Sequence, residues 1–266
     1  ALTTAQVAGL TTRQIAALTT SQVNTLETAD VRALSTASIA ALGTTAVAAL
    51  STEAVVAMTS AQAQALSTAQ AAALTTDQMA AMGSANLNAL KTAAVQALST
   101  EQIAALGSAQ IAALNTVQLN ALTTAQVAGL TTDDLRALTT AQFASFSDTK
   151  VAALTSDQMA AMETADLRAL STRATAALST SQLNALTTDG VAALTTGQVA
   201  SLTTRQVAGL DSTHLNALGT AQIAVLTTAQ AAALTSTQTA TMETDDVAAL
   251  GTAALRAIGT AAFAAL

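Results

Sequence analysis

The chain has no cysteine, proline, tryptophan or tyrosine, and only three phenylalanines. Without cysteine there is neither a disulfide framework nor a thiolate metal site, although the compartment stays open. Charged residues make up 9% of the chain, and nine scattered cations face 16 acids for a net charge of −7. That balance excludes a nucleic-acid surface or a docking patch for anionic lipid, both of which need clustered Lys or Arg. Long apolar runs are missing too. A Thr or Ser interrupts every one, so the roughly 20 apolar residues of a membrane span never occur. A single histidine, His214, leaves no material for a triad or a His-based metal site.

What is present is one octapeptide, Leu-Thr-Thr-Ala-Gln-Val-Ala-Ala, written 33 times from Leu2 onward. A strict short period points to a solenoid whose units bury their apolar faces only by stacking on one another. Much of the apolar content is Ala, so each unit buries little area at about 25 cal/mol per Å² and stability must accumulate over many like contacts.

Counting Leu2 as position 1, that position is Leu in 27 repeats and otherwise Met, Phe or Ile, as at Met58, Phe146 and Ile258. Position 6 is mostly Val, Ile, Leu or Met and lies three residues before the next position 1, which puts both on one helix face. One continuous helix fails, because eight residues at about 100° each overshoot two turns by about 80° and wind the Leu stripe around the rod. A strand fails because positions 1 and 6 would point to opposite faces. The expected fold is therefore all-α: a solenoid or superhelix of very short helices, one per repeat, forming a single array over residues 1–266 with no separate domains.

Two positions compete to cap each helix. Position 3 is Thr or Ser in every repeat except at Asp148, and its uniformity predicts the N-caps to be Thr4, Thr12, Thr20, Thr28, Asp148 and their equivalents. Position 2 is the alternative; there the Gln at position 5 would close a capping box and the flanking Leu and Val would form a staple. All 16 acids fall at positions 2 to 5, where the positive end of a helix dipole lies, and Arg32, Arg136, Arg168 and Arg256 fall at position 7 near the other end. A longer period also shows. Asn occupies position 7 at Asn24, Asn88, Asn120, Asn184 and Asn216, always 32 or 64 residues apart, which predicts four repeats per turn and a stacked Asn ladder. Duplication of a four-repeat block without structural meaning explains the spacing equally well.

No constellation stands apart from the repeat. His214 reads as a surface replacement of Gln. Asp133 with Asp134, and Asp245 with Asp246, diverge on a helix and lack the dense oxygen pattern of a calcium loop, so they read as first-turn charges. Phe143 and Phe146 are three apart on the core face. No catalytic, cofactor-binding or metal-binding residue is expected, and no cofactor; the expectation is that the chain is not an enzyme.

Runs such as Leu-Thr-Thr-Ala-Gln-Val-Ala-Gly-Leu at Leu2–Leu10 and Leu-Ser-Thr-Glu-Gln-Ile-Ala-Ala-Leu at Leu98–Leu106 resemble the Leu-Thr-Thr-x-Gln octapeptide arrays of large bacterial secreted and cell-surface proteins. The resemblance covers the whole chain and implies a structural role outside the cell. The chain starts in register without Met, which fits a processed protein or a segment of a longer one. Ordinary repeats at both ends lead to the expectation of head-to-tail self-association into a filament, stalk or matrix fibre, with lateral bundling open. Alternatives are an ice-binding protein using regular Thr rows, and a passive scaffold or adhesin spacer. Nucleic acid and a membrane span are not expected partners.

Overall fold

A computed structural model describes residues 2–266. Among them there are 33 helices of four to six residues, from α1 (Thr4–Ala8) to α33 (Thr260–Phe263), one in each repeat, and no strand. The chain is a helical repeat solenoid. It divides into two compact units, Ala1–Ala137 and Leu138–Leu266, and Leu138 is a position-1 residue, so the division falls between repeats.

Each helix starts at position 3, and the N-cap is position 2, which corrects the predicted caps. Thr3 is extended (φ −80°, ψ 158°); its hydroxyl accepts the Gln6 N–H at 3.4 Å, while Gln6 Oε1 accepts the Thr3 N–H at 2.9 Å. Thr11 and Thr19 do the same with Gln14 and Gln22, and Glu27 and Ser147 hold the cap position in their repeats. Thr4, Thr12, Thr20, Thr28 and Asp148 are first helical residues instead. The physical reason is the returned bond: Gln at position 5 accepts the N–H of position 2 three residues back, whereas the apolar residue at position 6 has no oxygen to offer position 3. No described residue has positive φ, so the bend at positions 8 to 2 needs no left-handed backbone.

Positions 1 and 6 form the core in both units. In the first, Ile39, Leu42, Val47 and Leu50 are 5% exposed or less; in the second, Val199, Leu202, Val207 and Leu210 are too. Phe143 and Phe146 lie in this core as expected, with ring centroids 5.5 Å apart. Helices pack three repeats apart. In the first unit α1 lies on α4 (Thr28–Ala33) and α9 (Thr68–Ala73) on α12 (Thr92–Ala97); in the second, α29 (Thr228–Ala232) lies on α32 (Thr252–Ala257). The position-5 side chains reach back 28 and 31 residues, so a turn closes between three and four repeats. The predicted four-repeat turn is too long, since a 32-residue period would place like positions over one another.

Candidate functional site

The recurring site is the Gln at position 5, present in 18 repeats. Its Oε1 completes the capping box of its own helix. In most of these repeats its Nε2 turns the other way and donates to two backbone carbonyls of the preceding turn. Gln78 accepts the Thr75 N–H at 2.7 Å and donates to Val47 O at 3.0 Å and Leu50 O at 2.7 Å. Gln70 donates to Ile39 O and Leu42 O at 2.8 Å each. In the second unit Gln230 reaches Val199 O at 2.9 Å and Leu202 O at 2.7 Å, and Gln238 reaches Val207 O and Leu210 O. Each of these amides is almost completely buried and uses both its acceptor and its donor group, as a buried polar side chain must. Gln is therefore a latch between turns. A polar residue recurring beside the apolar stripe was a readable signal of this second task, and only its capping half was drawn from the sequence.

Replacements at position 5 show the same logic. Asn86 is shorter and keeps one bond, Nδ2 to Met58 O at 2.7 Å, while Ser60 from three repeats earlier donates to its Oδ1 at 3.2 Å. Asp134 accepts the Thr131 N–H at 2.9 Å, the Thr131 hydroxyl at 2.7 Å and the Ser108 hydroxyl at 3.0 Å. A carboxylate cannot donate to the carbonyls behind it, so hydroxyls from the turn below approach it instead. Asp133, its neighbour, points outward to Arg136 at 3.4 Å. Burial pushes the Asp166 carboxyl above the usual range, against a hydrogen bond from Thr140, and Glu163 adds to the rise. Asp246 is raised likewise by burial and by Glu243 and Asp245.

His214 is not the surface substitution expected. It is buried, at 9% exposure, and it occupies the latch: Nε2 donates to Leu186 O at 2.8 Å, 28 residues back, and Nδ1 lies 2.7 Å from Asp211 Oδ1. Asp211 is the N-cap and also accepts the His214 N–H at 2.8 Å. Burial alone would raise the Asp211 carboxyl; the His214 N–H, imidazole and charge together hold it below the usual range.

The Asn residues do not form a ladder at 32-residue steps. Asn88 Oδ1 accepts from Asn115 Nδ2 at 2.8 Å, 27 residues on. Asn184 donates to Gly209 O at 2.8 Å and accepts the Asp211 N–H at 3.2 Å; Asn216 donates to Thr241 O at 2.7 Å. Asn120 donates to Thr116 O within its own helix at 3.0 Å, and Asn24 is exposed at the end of α3 (Thr20–Asn24). The turn is shorter than 32 residues, so a position-7 amide meets the bend of the following turn and not the next Asn. Asp148, predicted as a cap, instead accepts the Arg173 Nε at 2.8 Å from three repeats on.

Among the described residues no three His, Asp or Glu side chains gather where they could hold a metal ion, and no helix is long and apolar enough to cross a membrane. A hollow of about 620 Å³ lies on the first turn, between the apolar Leu2, Val7, Leu10, Leu18 and Leu26 and polar side chains that include Gln22 and Asp30. In most repeats the recurring chemistry is recognition of one turn's backbone by the next.

The sequence profile of the ALTTAQ repeat matches the chain over residues 1–28, 23–60, 55–84, 79–116, 104–132, 130–162, 159–196, 207–242 and 239–266. No curated protein matches the chain.

Proposed function

Because this chain belongs to the ALTTAQ repeat family, we propose that it is a structural protein that extends an extracellular filament, stalk or matrix fibre of a bacterial cell surface by stacking turn on turn, and that it has no enzymatic activity. The observation that carries the reading is the target of the latch. Gln Nε2 donates to main-chain carbonyls, which every repeat possesses, so any turn can receive any other whatever its side chains. Such an interface is heterologous and open, the kind that generates fibres. In the first turn the amides of Gln6, Gln14 and Gln22 make their capping bonds to Thr3, Thr11 and Thr19 and have no carbonyl partner among the described residues. They are donors that a further turn can take up, whether that turn belongs to a longer array or to a second copy. Electron microscopy of the purified chain over a concentration series tests this. Long uniform fibres that lengthen with concentration are the expected result, and short rods of constant length at every concentration refute self-stacking.

One observation favours a second reading, ice binding. The position-3 hydroxyls of Thr4, Thr12 and Thr20 are exposed and do no capping, so they remain available to an ordered surface. Against it, Lys91 and Glu27 interrupt the adjacent position-2 row. Thermal hysteresis at micromolar concentration is the discriminating measurement, and its absence removes the idea.

A further inference from the structure

Four consecutive repeats near the start of the array lack the latch: their position-5 residues are Asp30, Ser38, Ala46 and Ala54. A turn holds between three and four repeats, so the gap spans one whole seam. Ser38 is where a Gln would reach Val7 O and Leu10 O, Ala46 faces Ile15 and Leu18, and Ala54 faces Val23 and Leu26, by the 31- and 28-residue offsets seen elsewhere. None of those three can supply the amide: Ser38 bonds locally to Ser35 at 2.9 Å, and the other two have no polar group. The next seam is complete, with Gln62, Gln70 and Gln78 all latched. Within the first unit no later seam loses three repeats in succession.

The consequence extends past the missing glutamines. Among the described residues no hydrogen bond joins residues 2–30 to any residue beyond Leu34; the first bond between turns is Gln62 to Val31 O at 2.7 Å. What holds the first turn is apolar packing alone, of α1 on α4, α2 (Thr12–Ala16) on α5 (Thr36–Ala41) and α3 on α6 (Thr44–Ala48).

We propose that residues 2–30 are a hinged turn that opens from the coil as one cooperative unit, with the break at the unlatched seam. Cooperative opening in contiguous blocks is how solenoids and other proteins unfold locally, and block edges fall where neighbour coupling is weakest. Within the first unit the coupling is weakest here because three glutamines and their six amide bonds are absent together. Opening uncovers Val31, Ile39 and Val47, the apolar row of the second turn.

Hydrogen exchange followed by mass spectrometry on the full chain tests the hinge. In the wild type, amides from Val7 to Leu26 should exchange together, at least about a hundredfold faster than those from Ile39 to Leu50, with a step at Val31. The triple variant S38Q/A46Q/A54Q should slow the first block at least about tenfold. The complementary variant Q62A/Q70A/Q78A should move the step one turn onward, to between Val55 and Gln62. Equal protection across residues 7–50, a smooth gradient from the first residue without a step, or a step that neither variant moves, each overturns the proposal. Because one variant adds the latch at the first seam and the other removes it at the second, each moves the step by itself, and failure of one to fold leaves the other decisive.

Discussion

Repeats 1 and 16 have the same eight residues, Leu-Thr-Thr-Ala-Gln-Val-Ala-Gly at Leu2–Gly9 and Leu122–Gly129, and this identity isolates the latch from everything local. Gln6 and Gln126 both close a capping box, to Thr3 and Thr123. Only Gln126 also donates across the seam, to Val95 O at 3.2 Å and Leu98 O at 2.7 Å. Gln6→Ala should therefore cost the box alone, about 1 kcal/mol. Gln126→Ala loses the box and two buried hydrogen bonds of about 1 kcal/mol each, for a total of about 3 kcal/mol. The substitution leaves no helix-propensity difference between the two sites, since the flanking residues match. Solenoids melt in blocks, so a single midpoint is the wrong observable; hydrogen-exchange free energies of each repeat, or nearest-neighbour fits to denaturant curves, read the local cost. The helices stacked below Gln126 at Val95–Leu98 should lose protection in the variant. Equal costs at the two sites, or no loss at Val95–Leu98, would refute the assignment of the latch as the tie between turns.

Three further expectations follow from the same geometry. Asp166→Asn should stabilise the second unit by about 1 kcal/mol at neutral pH, because an amide at position 5 can donate to the preceding turn as Asn86 does to Met58 O. The Asp166 carboxyl is raised by burial, so its charge costs stability above the raised value and that cost disappears as the pH falls toward 3.8; variant and wild type should converge in acid, as denaturant titrations at several pH values would show. Asp211, held below the usual range, contributes stability that is present above 3.8 and lost as the pH falls through its depressed value; its carboxylate is half-exposed and screened by water, so Asp211→Asn should cost less than about 1 kcal/mol at neutral pH and nothing in strong acid. Gly209→Ala should destabilise by about 1–2 kcal/mol, since the new Cβ meets Thr180 Cγ2 at 2.5 Å and a β-branched side chain has little freedom to withdraw. Gly129→Ala is the control: its Cβ finds only ordinary contacts at 3.4 and 3.5 Å, and hydrogen-exchange free energies of its repeat should show a gain of about 0.5 kcal/mol.

The period, the short helix in each repeat and the core at positions 1 and 6 were all legible, because a helix and a bend leave different residue types at fixed spacing. Position 3 misled for an instructive reason. Uniform Thr or Ser at Thr4, Thr12 and Thr20 looks like a cap, yet a cap tolerates variation: Gly43, Glu27 and Lys91 stand at the true cap position, because the extended backbone there suits any residue and the position-5 oxygen satisfies its N–H in many repeats. Some hydroxyls at position 3 instead meet the following turn, as Ser60 does at Asn86 and Ser108 at Asp134. Contacts between turns have no local signature, so nothing in one octapeptide reveals them.

The same argument explains why the Asn spacing of 32 residues misread the turn. A ladder of like residues requires the repeat number per turn to be an integer, and the latch offsets of 28 and 31 residues show that it is not. With a non-integer turn, a side chain meets its own kind only in isolated places, as Asn88 meets Asn115, and a repetitive sequence would lose any register set by such pairs. The coil avoids the problem by aiming Gln, Asn and His at backbone atoms, which are the same in every repeat. Stacking is then indifferent to which repeat lies beneath, and variation at positions 4 and 7 is left without structural consequence except where a partner happens to lie within reach, as for Arg173 and Asp148. Backbone recognition is thus what lets eight residues be copied 33 times and still close into turns that hold.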